Sequence, residues 1–341
     1  MPISEPSWWY SPDSGWQTSL LSPVGALIGL IASRRIENAK PYRSSLPVIC
    51  VGNFTAGGSG KTPLALFLAK LVANEGREPW FLSRGYGGKL KGPVRVIPTR
   101  QTAREVGDEP LLLARSAPTV VSRDRRKGAE AIEAMASKKA VIIMDDGLQN
   151  PALAKDLTIA LVDHRRGFGN GLVIPAGPLR APLDVQGKLA QLIVLTGQGA
   201  PDPAIVEMLK AISTAPVIAA ATRADDDSAQ FQNQKVIAFA GIANPERFFT
   251  TLGSLGAEII ARKAFADHHM FSDAEARGLL EGAEREGALL VTTEKDLVRL
   301  AGATGACGAL RERARAIAIR TSIEDNDLDV LRRLIRGAIV R

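Results

Sequence analysis

Leu46-Pro-Val-Ile-Cys-Val-Gly-Asn53, followed by Thr55-Ala-Gly-Gly-Ser-Gly-Lys-Thr62, decides the fold. The first segment is apolar without polar alternation, which reads as a strand buried on both faces of a parallel sheet. The second matches the phosphate-loop pattern G-x-x-x-x-G-K-[ST], with Thr55 in place of the first glycine. Behind it, Leu64, Phe67, Leu68, Leu71 and Val72 recur with helical spacing and predict a helix over residues 63–75. In a strand–loop–helix unit of this kind, Gly57, Gly58 and Gly60 let successive backbone N–H groups turn toward phosphate oxygens, and Thr55, Ala56 and Ser59 complete the loop. Lys61 neutralises the β/γ-phosphates, and Thr62 offers a hydroxyl to Mg2+. The positive end of the helix points at the same anion, and Pro63 stands in its first turn, where a missing N–H costs nothing.

Outward from this unit, short apolar strands are expected at 79–82, 119–122, 140–144, 157–162 and 192–195. Helical stretches at 107–115 and 125–136 lie between them. Alternation of this kind predicts an α/β fold: a phosphate-loop NTPase-like, mostly parallel sheet with helices on both faces. Gly167–Pro182, rich in glycine and proline, reads as a long functional loop or an irregular cover. A second, smaller α/β set starts near Val236. It has helices at 245–255 and 274–284, strands at 289–292 and 316–319, and a final helix at 326–339. The polar, Asp-rich stretch Ala224–Gln234 places a boundary between a phosphate-loop domain, 41–230, and a smaller domain, 231–341, that completes a cleft.

The first 40 residues differ from the rest. Trp8, Trp9, Tyr10 and Trp16 precede an apolar stretch, Pro23–Ala32, that ends at Arg34-Arg35. The stretch is shorter than the roughly 20 residues that cross a bilayer, and it lacks the basic start and cleavage site of a secretory signal. Tryptophans, a short apolar helix and arginines suit a segment lying on a membrane surface; the alternative is a helix buried against the main domain.

Composition bounds the function. A chain of 341 residues suggests about two domains at roughly 150 residues each. With 45% hydrophobic and 23% charged residues it is globular rather than disordered, collagenous or coiled-coil. Its two cysteines, Cys50 and Cys307, exclude a disulfide scaffold and a cysteine-built zinc site. A formal charge of +7 favours anionic partners such as nucleotides, phosphorylated substrates or an acidic membrane face. No dense basic stripe interleaved with aromatics points to nucleic acid.

Four groups of residues are candidates for chemistry. Asp145 and Asp146 follow the strand at 140–144, where phosphate-loop enzymes hold Mg2+; Asp-Asp-Gly is also a good turn. Asp108, in Gly107-Asp-Glu-Pro110, reads either as a helix N-cap or as a general base taking a hydroxyl proton. His268 and His269 follow Asp267; such a pair can orient a base or contact phosphate, or can be structural, the reading preferred for His164. Arg123, Arg125, Arg126 and Lys127 form either a solvated face or a surface for an anion. No Asn-Lys-x-Asp guanine-reading motif occurs, since Thr293-Glu-Lys-Asp296 has its lysine one place late, so ATP is favoured over GTP.

Taken in order, these residues closely resemble the tetraacyldisaccharide 4'-kinase (lipid A 4'-kinase) family. The resemblance covers most of the chain. It rests on Val51–Pro63, Ser83-Arg-Gly-Tyr-Gly-Gly88, Gly107-Asp-Glu-Pro110, Asp145-Asp-Gly-Leu-Gln149, Arg165–Gly171 and Pro175-Ala-Gly-Pro-Leu-Arg180. In the second half it rests on Phe239–Phe248, Asp267-His-His269 and Thr292-Thr-Glu-Lys-Asp296. Thr55 in the loop is the family's own variation. The resemblance implies ATP- and Mg2+-dependent phosphorylation of the 4'-hydroxyl of an acylated disaccharide 1-phosphate. It also implies peripheral attachment to the anionic cytoplasmic face of the inner membrane, with no obligate protein partner evident. Asp108 matches the family's catalytic aspartate and His268 its histidine partner. Asp145, Asp146 and Gln149 match its acidic motif, and Asp267, His269 and Arg180 are further candidates. Ala181 stands where the family often has a glutamate. Rival readings are a kinase of a small soluble acceptor and a nucleotide-switched binding protein.

Overall fold

The computed structural model describes residues 6–11, 15–57, 60–197 and 199–340, with 226–228 described as backbone alone. Gly58 and Ser59 of the expected phosphate loop lie outside the described residues. The strands are β1 (Val48–Asn53), β2 (Glu78–Ser83), β3 (Val94–Arg95), β4 (Thr119–Val121), β5 (Ala140–Asp145), β6 (Leu157–Asp163), β7 (Leu192–Thr196), β8 (Val217–Ala224), β9 (Lys235–Ala240), β10 (Glu258–Ala264), β11 (Leu289–Thr293), β12 (Arg315–Ile317) and β13 (Ile319–Ser322). Among the described residues they form a nine-stranded sheet, β13-β8-β7-β6-β1-β5-β2-β4-β3, and a four-stranded sheet, β10-β9-β11-β12. The large sheet is parallel except at its edges, where β13 and β3 pair antiparallel.

β1 lies in the middle of the large sheet, and alternation along it divides the core. Ile49 and Val51 pack with Leu64, Leu68 and Val72 of the helix Lys61–Asn74, while Cys50 and Val48 pack on the other face with Ala129 and Ile132 of the helix Arg125–Met135. Burial on both faces explains why β1, β5 and β7 are continuous apolar runs. In the small lobe, β9 divides in the same way. Val236, Ala238 and Ala240 pack with Phe249 and Leu252 of the helix Pro245–Ser254, whereas Ile237 and Phe239 pack with Ala276 and Leu279 of the helix Asp273–Glu286.

Two expectations are corrected. The segment 231–341 is not one unit: the small lobe ends at Ile317, and the chain then returns to the large sheet as β13 and the helix Asp325–Ile339, whose Leu331 and Ile335 are buried against Ile49 and Val51. The strand expected at 316–319 is therefore two strands in two sheets, parted at Ala318, whose carbonyl accepts the Asp225 N–H of the outgoing crossing at 2.9 Å. Secondly, the N-terminal helix is not limited to the apolar stretch 23–32. It runs Trp16–Glu37, 22 residues, and is long and apolar enough to cross a membrane. Ser22 and Ser33 return their hydroxyls to the carbonyls of Thr18 and Gly29, which lets polar residues sit in an apolar helix.

Candidate active site

The candidate residues of the phosphate loop and of the acidic pair gather at the C-terminal edge of the large sheet, the edge where ligands bind in open α/β folds. β1 runs into the phosphate loop, and its parallel neighbour β5 ends in register with it, Asp145 opposite Val51. Gly57 and Gly60 have φ of 107° and 86°, a region that L side chains rarely enter, so the loop's turn needs glycine there. Gly60 leads directly into the helix Lys61–Asn74. Lys61 Nζ lies 3.3 Å from Asn53 Oδ1, 3.5 Å from Gly57 O and 3.8 Å from Asp146 Oδ1. Burial lowers its pKa, and Asp146 opposes that shift.

The glycine- and proline-rich segment braces this loop. Ala56 N–H donates to Pro178 O at 2.7 Å, Arg180 Nε donates to Thr55 O at 3.1 Å, and Arg180 Nη1 pairs with Asp146 Oδ1 at 2.6 Å. Asp146, at φ 52°, is thus committed to two cations, and its pKa stays low although burial alone would raise it. Gln149 Nε2 bonds Asn53 O at 2.8 Å and Gln186 Oε1 at 2.7 Å, so it ties the end of β1 to the segment after Ala181, which is itself fully buried.

Asp145 behaves differently. It is buried, its Oδ1 has no hydrogen-bond partner, and its backbone carbonyl accepts from Arg125 Nη2 at 3.0 Å. Burial, then the charges of Glu109 and Asp146, push its carboxyl up to about 7. An unpartnered buried carboxylate oxygen is costly unless something meets it, and a hard oxygen ligand of this kind fits Mg2+. Among the described residues no group of three or more His, Cys, Asp or Glu could hold a metal ion by itself. The residues present fit a nucleotide phosphate with its cation.

Asp108 opens the helix Asp108–Leu113 and is buried. The N-cap reading is not what the structure shows, because Gly107 holds the N-cap position and Asp108 is the first helical residue; Asp108 Oδ1 accepts the adjacent Glu109 N–H at 2.9 Å. Its Oδ2 faces the small lobe and accepts His268 Nδ1 at 3.1 Å and Arg299 Nε at 2.8 Å, with Arg299 Nη2 on the same oxygen. Burial would raise this carboxyl, but the His268 hydrogen bond and the Arg299 charge hold it well below the usual range. Beside it Lys295 Nζ meets Glu109 Oε1 at 2.7 Å. Glu109 in turn acts on both Lys61 and Asp145, which links this end of the site to the phosphate loop.

The two histidines separate cleanly. His268 has φ 58°, its N–H bonds Gly241 O and Asp267 Oδ1, and its ring turns toward Asp108 and Tyr86. Asp267 Oδ2 lies 3.7 Å from His268 Nε2. His269 stacks on Phe265 and bonds Glu275 inside the small lobe, away from Asp108. Arg125 is buried under β5 rather than on a solvated face. Glu109, Lys295 and Arg299 are site neighbours that the sequence reading does not single out, because charges on a helix ordinarily read as a wet face; Glu109 lies within Gly107-Asp-Glu-Pro110 and Lys295 within Thr292-Thr-Glu-Lys-Asp296, while Arg299 lies in no motif.

The Asp108–His268 contact has a pH signature. The Asp108 hydrogen bond raises the His268 pKa against burial. A raised histidine contributes stability that is complete below its unfolded pKa and is lost as pH rises through the folded value. Thermal melts should therefore show wild type exceeding His268→Gln by more at pH 6 than at pH 9. A gap that widens toward pH 9 would contradict the contact.

The family model for "Tetraacyldisaccharide-1-P 4'-kinase" matches residues 17–336. A tetraacyldisaccharide 4'-kinase of Methylobacterium nodulans is 52% identical over 301 residues, 87% of this chain and 88% of that protein. One of Rhodopseudomonas palustris is 46% identical over 310 residues, 90% of each. Among solved structures, LpxK from Aquifex aeolicus in complex with ATP superposes with a TM-score of 0.73 at 28% identity, covering 94% of this chain and 99% of that one. The phosphate loop, the acidic pair at the end of β5 and the Asp108–His268 contact across the lobes thus sit in a chain that belongs to the tetraacyldisaccharide-1-phosphate 4'-kinase family.

Proposed function

We propose that the chain transfers the γ-phosphoryl group of ATP to the 4'-hydroxyl of a tetraacyldisaccharide 1-phosphate, a step in lipid A synthesis. The observation that carries this reading is a phosphate loop at the edge of the large sheet beside a buried Asp108 that meets the half-buried His268 of the small lobe, in a chain of this family. In phosphoryl transfer the protein's work is mainly positioning and neutralising charge. The loop from Thr55 to Thr62 holds the ATP phosphates, and Lys61 turns from Asn53 and Gly57 toward their negative charge. Asp146 keeps Lys61 and Arg180 together. Thr62 and Asp145 would hold Mg2+, which supplies charge neutralisation to the phosphate oxygens when bound. Asp108, oriented by His268, takes the proton of the acceptor hydroxyl as its oxygen bonds to the γ-phosphorus and the bond to the ADP oxygen breaks. Closure of the small lobe over the loop excludes water as a competing acceptor.

The basic balance and the N-terminal helix support attachment to the anionic cytoplasmic face of the inner membrane. One side of the helix docks on the body through Gly25 and Gly29, where an added Cβ would lie 2.6 Å from Val173 O and 3.2 Å from Pro182 Cγ. The other side exposes apolar residues, among them Trp16 at 72% and Leu20 at 66%. Such an exposed apolar face, ending at Arg34 and Arg35, suits a segment that lies against a membrane surface. No protein partner is required by this scheme.

The test is transfer of label from ATP to tetraacyldisaccharide 1-phosphate in mixed micelles with Mg2+. A 4'-phosphorylated lipid is expected. A folded, ATP-binding protein that labels no lipid would overturn the lipid-kinase reading. Leu20→Glu with Leu27→Glu should lower binding to anionic vesicles while leaving turnover in detergent unchanged; undiminished vesicle binding would overturn the anchor.

A further inference from the structure

Thr293-Glu-Lys-Asp296 has no place in the phosphate chemistry, yet its Asp296 holds Arg299, which meets Asp108. The Thr293 hydroxyl donates to Asp296 Oδ2 at 2.6 Å and caps the helix Glu294–Arg299 by accepting the Asp296 N–H. Asp296 Oδ1 then accepts the Gly241 N–H at 3.1 Å and Arg299 Nη1 at 2.7 Å, and Arg299 Nη1 also donates to Gly241 O. Both Asp296 and Arg299 are buried. Held on one side by Asp296, Arg299 directs its remaining edge, Nε and Nη2, onto Asp108 Oδ2.

We propose that Arg299 is a positioning residue for phosphoryl transfer, anchored by Asp296 and clamping Asp108 Oδ2 so that Oδ1 alone meets the acceptor hydroxyl. Oδ2 already takes three donors, from Arg299 Nε, Arg299 Nη2 and His268 Nδ1. Oδ1 takes only the Glu109 N–H and keeps a lone pair for a proton. A planar guanidinium gripping one oxygen fixes the rotation of the carboxylate, which a lysine's point charge does not. The clamp comes from the small lobe and its target from the large one, so the base takes its working orientation only when the lobes meet. The charged groups facing Asp108 are Arg299, His268 and Lys295, with Glu109 beside it and Asp267 and Asp296 behind His268 and Arg299.

This inference rests on Asp108 being the base, and the test separates the two. Arg299→Lys, Asp108→Asn and the double variant would be compared for kcat, for KM of ATP and across a pH–rate profile. Arg299→Lys keeps the charge and is expected to fold, shown by circular dichroism. Its kcat should fall roughly 100-fold, the scale of a misplaced catalytic group, with KM for ATP unchanged and the acid limb of the profile moved to higher pH. The double variant should be no slower than Asp108→Asn, since the arginine acts only through that carboxylate. A wild-type rate and profile in Arg299→Lys, or losses that multiply in the double variant, would overturn the clamp. If Arg299→Lys does not fold, Asp296→Asn, which replaces the anchoring ion pair with a neutral contact, should lower kcat with KM for ATP unchanged, and a wild-type kcat there would overturn the proposal. Slow Asp108→Asn with unaffected Arg299→Lys sinks the clamp alone; wild-type Asp108→Asn sinks both.

Discussion

Asp108→Asn should remain folded, bind ATP as wild type does, and transfer phosphate about 1,000-fold more slowly, within the range that general base catalysis supplies. The substitution keeps the volume of a buried side chain, so no cavity forms. It removes the negative charge that Arg299 and His268 converge on, and with it the acceptor for the hydroxyl proton. ATP affinity should be spared because in the proposed scheme the loop after β1 holds the nucleotide phosphates, and Asp108 acts on the acceptor. Single-turnover kinetics alongside an ATP titration would check this. Transfer within a few-fold of wild type would remove Asp108 from the chemistry. Its depressed pKa means that a low-pH loss of turnover should start below the ordinary carboxylate range.

Lys61→Ala should act on both binding and turnover. A charge-assisted hydrogen bond contributes about 1.5–3 kcal/mol net, or roughly 10- to 150-fold in ATP affinity. Loss of a cation aimed at the transferring group typically slows transfer by about 100- to 1,000-fold more. The fold should survive, because Asp146 keeps its 2.6 Å ion pair with Arg180 when Lys61 is gone. Burial already disfavours the charged lysine, so its removal relieves a desolvation cost as well as ending a contact. Calorimetric titration with Mg-ATP and a melt would check it; unchanged affinity together with unchanged kcat would remove Lys61 from the phosphate site.

What could be read from the residues follows from where each signal resides. The phosphate loop is local, so its strand, glycines, lysine and helix are readable within one continuous stretch, Val48 to Asn74; the same holds for Asp145 and Asp146 at the end of an apolar strand. The choice between His268 and His269 was not local, since it depends on a positive φ at His268 and on which lobe each ring meets. Arg299 was hidden for a related reason: its partners are 191 residues away at Asp108 and 3 residues away at Asp296, and only the first marks it as functional. β10 was overlooked because, at the edge of its sheet, it is largely exposed and carries Glu258, Arg262 and Lys263. The return of the chain at Ala318 left no compositional break, because one apolar run, Ala316-Ile-Ala-Ile319, feeds two sheets.

That return has a consequence for biosynthesis. The small lobe, β9 to β12, is complete before the last large-lobe elements have been translated. The large sheet's core, by contrast, lacks Leu331, Ile335 and Ile339 until the final helix leaves the ribosome. Chains emerge from the N-terminus, and domains fold as units during synthesis. The nascent large lobe, carrying the exposed N-terminal helix, therefore waits with an uncovered apolar face while the insert folds. The closing contacts join Ile49 and Val51 to residues nearly 300 positions later, a separation that slows folding by its loop-closure entropy. During that interval the nascent chain keeps an apolar face that chaperones can hold, until the helix Asp325–Ile339 covers it.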